Sequence, residues 1–366
     1  MSHSFNSNQA VVPWIKNLAC YVPGEQPQGE GWVKLNTNEN PYHTSPKVLE
    51  AIQTKVLSLQ LYPEPRSQKL RAKISQKFGL KESNVIIGNG SDNILDMITR
   101  SFLGKGQAGH NVPSYSLYPV VVGLSGGRLF DIPFEESMEL PIDAIVKAEA
   151  SVFFLTNPNA PTGVCFSLES IEAVLKKTKG LLVVDEAYID FGGQSASTLL
   201  GQYDNLIVVQ TFSKSRSLAG LRVGFALASE SVISILDRVR DVYNVDSLAQ
   251  AGAIAALDDE DTFKENTQNI IKTREASEAS LKDLNWFTYP SAANFLFTQP
   301  KNHQAIYGPE VARSLFEHLK SEKVLVRYFD VHPLTCSFIR VSIGTNNQMK
   351  SFFGGIKTWQ TKESQN

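Results

Sequence analysis

Five apolar runs of strand length constrain this chain more than any other feature. They are NVIIG (84–88), SVFFLTNP (151–158), LLVVDEAY (181–188), LIVVQTFSK (206–214) and RVGFALA (222–228). None alternates polar with apolar residues, so none can turn one face to water. Strands of this kind are buried on both faces, which requires a parallel sheet covered by helices on either side. The intervening segments supply helices. SDNILDMITRSFL (91–103) places Ile94, Leu95, Met97, Ile98 and Phe102 on roughly one face. Ser167 caps a second helix that runs to about Lys177 and closes at Gly180. Upstream, Ser45 to Leu61 and Arg66 to Phe78 read as helices, the latter ending at Gly79. The fold class is α/β with a mostly parallel sheet.

Beyond residue 262 the texture changes. A long charged helix spans 264–284, with further helices near 309–322 and 346–360. ANFLFTQ (293–299), VLVRYF (324–329) and SFIRVSI (337–343) read as strands. This is a smaller α+β unit. The 366 residues exceed what one core usually serves. The expected division is an N-terminal arm over 1–35, a large domain over 36–262 and a small domain over 263–366.

Lys and Arg number 35 against 37 Asp and Glu, a formal charge of −2. That balance offers no broad basic field for nucleic acid or an anionic membrane. No run of about 18 apolar residues is present, so no membrane span is expected. The opening MSHSFNSNQA is polar, and no signal peptide is expected. Cys20, Cys165 and Cys336 form no CxxC pair, so neither a disulfide framework nor a metal site is expected. The simplest location is the cytoplasm.

Three charged residues stand at the ends of the apolar runs. Asp185 ends LLVV, Lys214 follows LIVVQT, and Arg222 opens RVGFALA. Ligands of open α/β sheets bind outside the carboxyl ends of the strands. Singly, each residue has a plainer reading: a helix cap, a solvated loop lysine, a surface ion pair. Together they match what pyridoxal 5′-phosphate needs: an amine for the imine, a carboxylate for the pyridine nitrogen and donors for the phosphate. A free lysine, with pKa near 10.4, is a poor nucleophile at neutral pH. As a Schiff base, Lys214 avoids that difficulty, and once freed it serves as the proton shuttle. Asp185 keeps the ring nitrogen protonated. Tyr188, three residues on, reaches the ring O3′, and Ala187 is small enough to lie under the ring.

GNGSDN (88–93) lies between a strand and a helix, where Gly90 permits close backbone approach. The amides of Ser91 and Asp92 open that helix and suit a phosphate. Asn93 replaces the third glycine of a dinucleotide fingerprint, and this is not a P-loop. Ser213 adds a hydroxyl and Arg222 a bidentate fork. Tyr115 either stacks on the pyridine ring or is a core tyrosine.

On these residues the chain resembles the fold-type I, class-II-like aminotransferases, and among them the histidinol-phosphate aminotransferases. The similar stretches run in the family's order along nearly the whole chain. They include YVPGE (21–25), LNTNENP (35–41), LYPEP (61–65), GNGSD (88–92), VPSYSLYP (112–119), NPNAPTG (157–163), VVDEAY (183–188), TFSKSRSLAGLRVGF (211–225), SAANF (291–295), VLVR (324–327) and IRVSIGT (339–345). The DEAY…SK…GLRxG set is the most specific of them.

The resemblance implies a homodimer with sites at the subunit interface. It implies Lys214 as the Schiff-base lysine, with Asp185 on the pyridine nitrogen and Tyr188 on O3′. Ser91, Asp92, Ser213 and Arg222 would hold the cofactor phosphate. Tyr62 would reach the neighbouring subunit's site, and Asn40 would join the substrate pocket. Arg340 would take the glutamate carboxylate, and Arg327 with Tyr21 and Arg340 the substrate phosphate. Read without the resemblance, Arg327 and Arg340 are equally well surface strand charges. Relatives often carry Asn before PTG; this chain has Ala160, leaving Asn159, Asn157 or Tyr188 alone to contact O3′.

The implied reaction is ping-pong exchange of an amino group. L-Histidinol phosphate and 2-oxoglutarate interconvert with imidazole-acetol phosphate and L-glutamate, in histidine biosynthesis. The competing readings are an aromatic amino acid aminotransferase, a pyridoxal phosphate decarboxylase of a phosphorylated amino acid, and a binding module that kept the fold.

Overall fold

A computed structural model describes residues 6–364. Residues 1–5 of the polar opening segment and the last two residues assigned to the small domain lie outside that range. Among the described residues no helix is long and apolar enough to cross a membrane.

Strand β1 (Val33–Lys34) leads out of the N-terminal arm. Seven strands then build the large sheet: β2 (Val85–Asn89), β3 (Gln107–Val112), β4 (Arg128–Pro133), β5 (Val152–Thr156), β6 (Leu181–Asp185), β7 (Leu206–Thr211) and β8 (Val223–Ala228). Their spatial order is β2-β8-β7-β6-β5-β3-β4. The pairings from β4 across to β7 are parallel.

Alternate residues of each central strand enter two different cores, which explains the unbroken apolar runs. Leu182 and Val184 of β6, with Leu206 and Val208 of β7, join one cluster. Val183, Ile207 and Val209 join the cluster on the opposite face, against Ile94, Leu95 and Ile98 of the helix Gly90–Phe102. Each such side chain contributes on the order of 1.5–3 kcal/mol by leaving water.

Within this mostly parallel sheet β8 is the exception: it runs antiparallel to both β7 and β2. The reason is the connection. Only residues 212–222 separate β7 from β8, with no helix long enough for a parallel crossover. The reversal matters for the site. It brings the amino end of β8, where Arg222 stands, to the edge reached by the carboxyl ends of the other strands. The register pairs Thr211 with Gly224 and Asn89 with Val223.

A second sheet forms from β9 (Phe287–Thr288), β10 (Phe295–Gln299), β12 (Arg327–Tyr328) and β13 (Ile339–Ser342), in the order β12-β13-β10-β9 and antiparallel throughout. The segment expected as one strand over 324–329 is two. Its first part, β11 (Val324–Leu325), pairs in parallel with β1 instead. A third core lies here, drawing on Ile270 and Leu281 of the 24-residue helix Glu260–Asp283 and on Leu296, Val341 and Phe352. Leu35, just after β1, is also in it. The arm is therefore tied to β11 by β1, and through Leu35, whose carbonyl accepts from the Ser342 amide, to the small sheet.

Candidate active site

A cavity of about 500 Å³ opens where the carboxyl ends of β5, β6 and β7 meet the small sheet and residues 36–38, just after β1. Asp185, Ala187, Tyr188, Ser213, Lys214, Arg222, Ser91, Asp92 and Tyr115 line it, together with Tyr21, Arg327 and Arg340. Residues spread over more than 300 positions of sequence thus face one space.

At one end stands the N-terminus of the helix Gly90–Phe102. Gly90 has φ +77°, and a Cβ there would lie 2.6 Å from Nη2 of Arg222. A Cβ at Gly224 would lie 2.4 Å from the Ser91 nitrogen. The two glycines allow the helix end, β8 and the Arg222 guanidinium to meet. Arg222 donates to the Ser213 hydroxyl at 3.2 Å and to Asp92 Oδ2 at 3.1 Å. Asp92 Oδ1 also accepts from the Tyr115 hydroxyl at 3.1 Å. The Asp92 carboxylate therefore orients Arg222 and Tyr115, leaving its amide and that of Ser91 at the free helix end.

At the other end lies Asp185, the last residue of β6 and 3% exposed. Burial pushes its carboxyl up to about 6. The Tyr118 hydroxyl donates to its Oδ2 at 3.0 Å, and the Ala187 amide to its Oδ1 at 3.3 Å. Lys214 lies between the two ends. Its ammonium donates to the Thr37 carbonyl at 3.0 Å and sits 5.9 Å from the Tyr188 ring centroid. Desolvation first, and then the nearby Arg340 charge, bring its pKa down to about 8. That amine is poised to exchange a proton near neutral pH.

The Tyr188 hydroxyl accepts from Asn38 Nδ2 at 3.0 Å. Its own hydrogen is then free to point elsewhere, and Tyr188 lines the cavity. Burial raises its pKa, against the pull of the Arg340 charge and the Asn38 bond.

Arg327 on β12 and Arg340 on β13 face each other across the strands. Neither has a carboxylate partner among the described residues. Arg340 donates to the Asn36 carbonyl at 2.9 Å, while its Nε is buried without a partner. Burial lowers its pKa to about 10, leaving it charged at neutral pH. A pair of half-buried guanidiniums on neighbouring strands, without an acid partner among the described residues, suits an anionic ligand.

Asn159, Asn157 and Asn40 do not line this cavity, and neither does Tyr62, which was expected at the neighbouring subunit's site. Asn159 is buried but off the cavity wall: its amide donates to the Pro113 carbonyl at 3.2 Å, and its Oδ1 accepts from the Thr162 hydroxyl at 2.8 Å. Asn157 is likewise held by both backbone polar groups of Phe166. The tight turn of residues 157–163 needs these side chains for its own backbone, so Tyr188 is left as the hydroxyl beside Ala160. Asn40 donates to the Lys214 and Ser215 carbonyls, at 3.0 and 3.3 Å, and holds the lysine segment from behind. Tyr62 is 81% exposed, away from this chain's cavity, and stacks on Tyr243 at 4.6 Å. Conversely, Thr37, Asn38, Tyr118 and Thr156 carry the site and were not singled out in sequence. Tyr118 and Thr156 lie inside runs read as strand and motif; Asn38 shows only as one polar residue in LNTNENP.

The donors present fit pyridoxal phosphate. Ser91, Ser213 and Arg222 can hold a phosphate, Asp185 a protonated ring nitrogen, Tyr188 a phenolic oxygen and Lys214 an aldehyde carbon. A cation against Asp185 would also offset the desolvation that raises its pKa.

Comparison with known proteins agrees with this geometry. The profile of the family "Aminotransferase class I and II" matches residues 30–356. Histidinol-phosphate aminotransferase 1 of Pseudomonas fluorescens is 41% identical over 94% of this chain and 97% of its own. Histidinol-phosphate aminotransferase of Geotalea uraniireducens is 40% identical over 95% of this chain and 99% of its own. Among solved structures, histidinol-phosphate aminotransferase from Sinorhizobium meliloti in complex with pyridoxal-5′-phosphate superposes with a TM-score of 0.81, at 26% identity and 90% coverage of both chains. The chain belongs to the class I and II aminotransferases and, within them, to the histidinol-phosphate aminotransferase family.

Proposed function

We propose that this protein is a pyridoxal phosphate transaminase that interconverts L-histidinol phosphate and 2-oxoglutarate with imidazole-acetol phosphate and L-glutamate. The observation that carries the reading is the acid-free pair Arg327 and Arg340, set in the same cavity as Lys214 and Asp185. Both amino donors are anions at the end remote from the amine: one carries a phosphate, the other a carboxylate. Two forks on neighbouring strands can serve either.

Bound pyridoxal phosphate supplies an electron sink for the pair left when the substrate's Cα–H bond breaks. The chain supplies the rest. Arg340 holds the glutamate carboxylate; Arg327, Arg340 and Tyr21 hold the phosphate of the alternative substrate. That grip fixes the Cα hydrogen against Lys214, whose Nζ takes and returns the proton. Asp185 would hold its negative charge against the protonated ring nitrogen. Tyr188, held by Asn38, donates toward the ring oxygen. Asn40 and the Thr37 carbonyl keep the lysine segment in register.

The protein acts in the cytoplasm as a homodimer. Leu57, Leu59, Leu61 and Tyr62 form an exposed apolar stretch suited to burial against a second copy, and this placement would carry Tyr62 toward the partner's site.

The test is the absorption spectrum of the purified protein as L-histidinol phosphate is added without a keto acid. A cofactor band that changes stoichiometrically supports cofactor and substrate together. A band that does not respond overturns the substrate. The absence of any band after pyridoxal phosphate is supplied overturns the cofactor.

A further inference from the structure

Behind Asp185 runs a line of hydroxyl groups that substrate and cofactor do not explain. Tyr118 is fully buried and is not on the cavity wall. Its hydroxyl lies 3.0 Å from Asp185 Oδ2 and 2.6 Å from Thr156 Oγ1. Thr156 Oγ1 lies in turn 3.1 Å from Ser114 Oγ, and both Ser114 and Thr156 line the cavity.

The ionised carboxylate fixes the direction of this line. It can only accept, and each hydroxyl has one hydrogen to give. Tyr118 gives its hydrogen to Asp185, so the Thr156 hydrogen goes to Tyr118 and that of Ser114 to Thr156. Every bond points toward the acid, and such chains strengthen one another in a dry interior. The Tyr118 ring has no room to turn away. Phe154 stacks on it at 4.8 Å, while His110 and Tyr115 meet it edge-on at 5.9 and 5.7 Å.

We propose that Ser114, Thr156 and Tyr118 form a one-way hydroxyl relay that holds the Asp185 carboxylate in place and ionised for the cofactor's ring nitrogen. Tyr118 and Thr156 are then positioning residues for amino transfer. The inference rests on the pyridoxal phosphate reading above and adds the source of the acid's orientation.

The experiment uses Tyr118→Phe, Thr156→Val, Thr156→Ser and the double variant Tyr118→Phe/Thr156→Val. Pyridoxal phosphate is titrated into each cofactor-free protein, and kcat and KM for L-glutamate are measured on each holoenzyme. Tyr118→Phe removes a hydrogen bond to a charged group, so cofactor affinity falls about ten- to a hundredfold. Its kcat falls while KM for glutamate stays within about twofold, because Tyr118 does not touch the cavity. Thr156→Val has a smaller effect of the same kind. It has no further effect in the Tyr118→Phe background, where its acceptor is gone. Thr156→Ser keeps the hydroxyl and behaves as wild type. Cofactor affinity and kcat of Tyr118→Phe within twofold of wild type overturn the relay. So do additive effects in the double variant, or a Thr156→Ser defect equal to that of Thr156→Val. Failure of the wild-type protein to bind pyridoxal phosphate overturns the underlying cofactor reading, a different result from any of these.

Discussion

Arg327 and Arg340 are cross-strand partners, and their guanidinium carbons lie 5.5 and 5.3 Å from the centroid of the same Phe329 ring. Like charges opposite one another on a sheet destabilise it, by about 0.2–1 kcal/mol relative to a neutral pair. Among the described residues no acid forms an ion pair with either arginine. On the proposed reading an anionic substrate offsets this repulsion, which ties affinity to a stability cost.

Arg327→Met is therefore expected to raise stability while weakening substrate affinity. The melting temperature of the ligand-free protein rises by a few degrees or less, as expected for a change of that size. KM for the phosphorylated substrate rises about ten- to a hundredfold, the loss of a charge-assisted contact. An unchanged KM would remove Arg327 from the substrate site.

Asp185 gives the same trade with a defined pH dependence. Its carboxyl is raised to about 6 from an ordinary 3.8, so the folded ligand-free protein binds its proton more tightly than the unfolded chain. The cost of the buried charge is full above pH 6 and vanishes as pH falls through 3.8. Asp185→Asn should thus raise the melting temperature of the cofactor-free protein at pH 7.5, with the gain shrinking between pH 6 and 4. Turnover falls at least about a hundredfold, as for other groups aimed at charge in a transition state. A gain that does not vary with pH would sink the argument.

Lys214→Ala leaves a folded protein without turnover. Circular dichroism should match wild type, because the lysine segment is held by its backbone, through the Lys214 and Ser215 carbonyls on Asn40. Near-normal turnover would exclude Lys214 as the proton carrier.

Gly90→Ala tests the phosphate end. A Cβ 2.6 Å from Arg222 Nη2, at φ +77°, must displace the guanidinium or strain the helix start. The expected outcome is at least about tenfold weaker binding of pyridoxal phosphate, the cost of a lost charge-assisted contact, with KM for glutamate affected less. Equal affinity in the variant would place the phosphate elsewhere.

Asn38→Ala frees the Tyr188 hydroxyl. A neutral hydrogen bond is worth about 0.5–1.5 kcal/mol, so kcat should fall by roughly two- to tenfold. A stopped-flow measurement of the half-reaction with glutamate reads this directly. No change would mean that Tyr188 is oriented by packing on Phe295 alone.

The sequence by itself determined the covered sheet, through runs such as LLVV and LIVV whose alternate residues all had to be apolar. It also singled out Asp185, Lys214 and Arg222 as a set, because an acid, an amine and a guanidinium at the ends of such runs together match one cofactor while each alone has a plainer use. What only tertiary structure decided is how those residues meet. The reversal of β8 brings Arg222 to the phosphate end, and it follows from a short connection rather than from any pattern within the strand. QAGHNV (107–112) and RLFDIP (128–133) carry no continuous apolar run, so the two strands they form went unread. For Asn159 and Asn40 only polarity is visible in sequence and not the partners; in the folded chain the amide of each donates to backbone carbonyls. Tyr118 and Thr156 looked like core and strand for the converse reason. A hydroxyl becomes functional through the direction in which it points, and that is set by Asp185 on a neighbouring strand. Residue type and local period are properties of the chain, whereas a hydrogen bond between distant segments exists only once the sheet has formed.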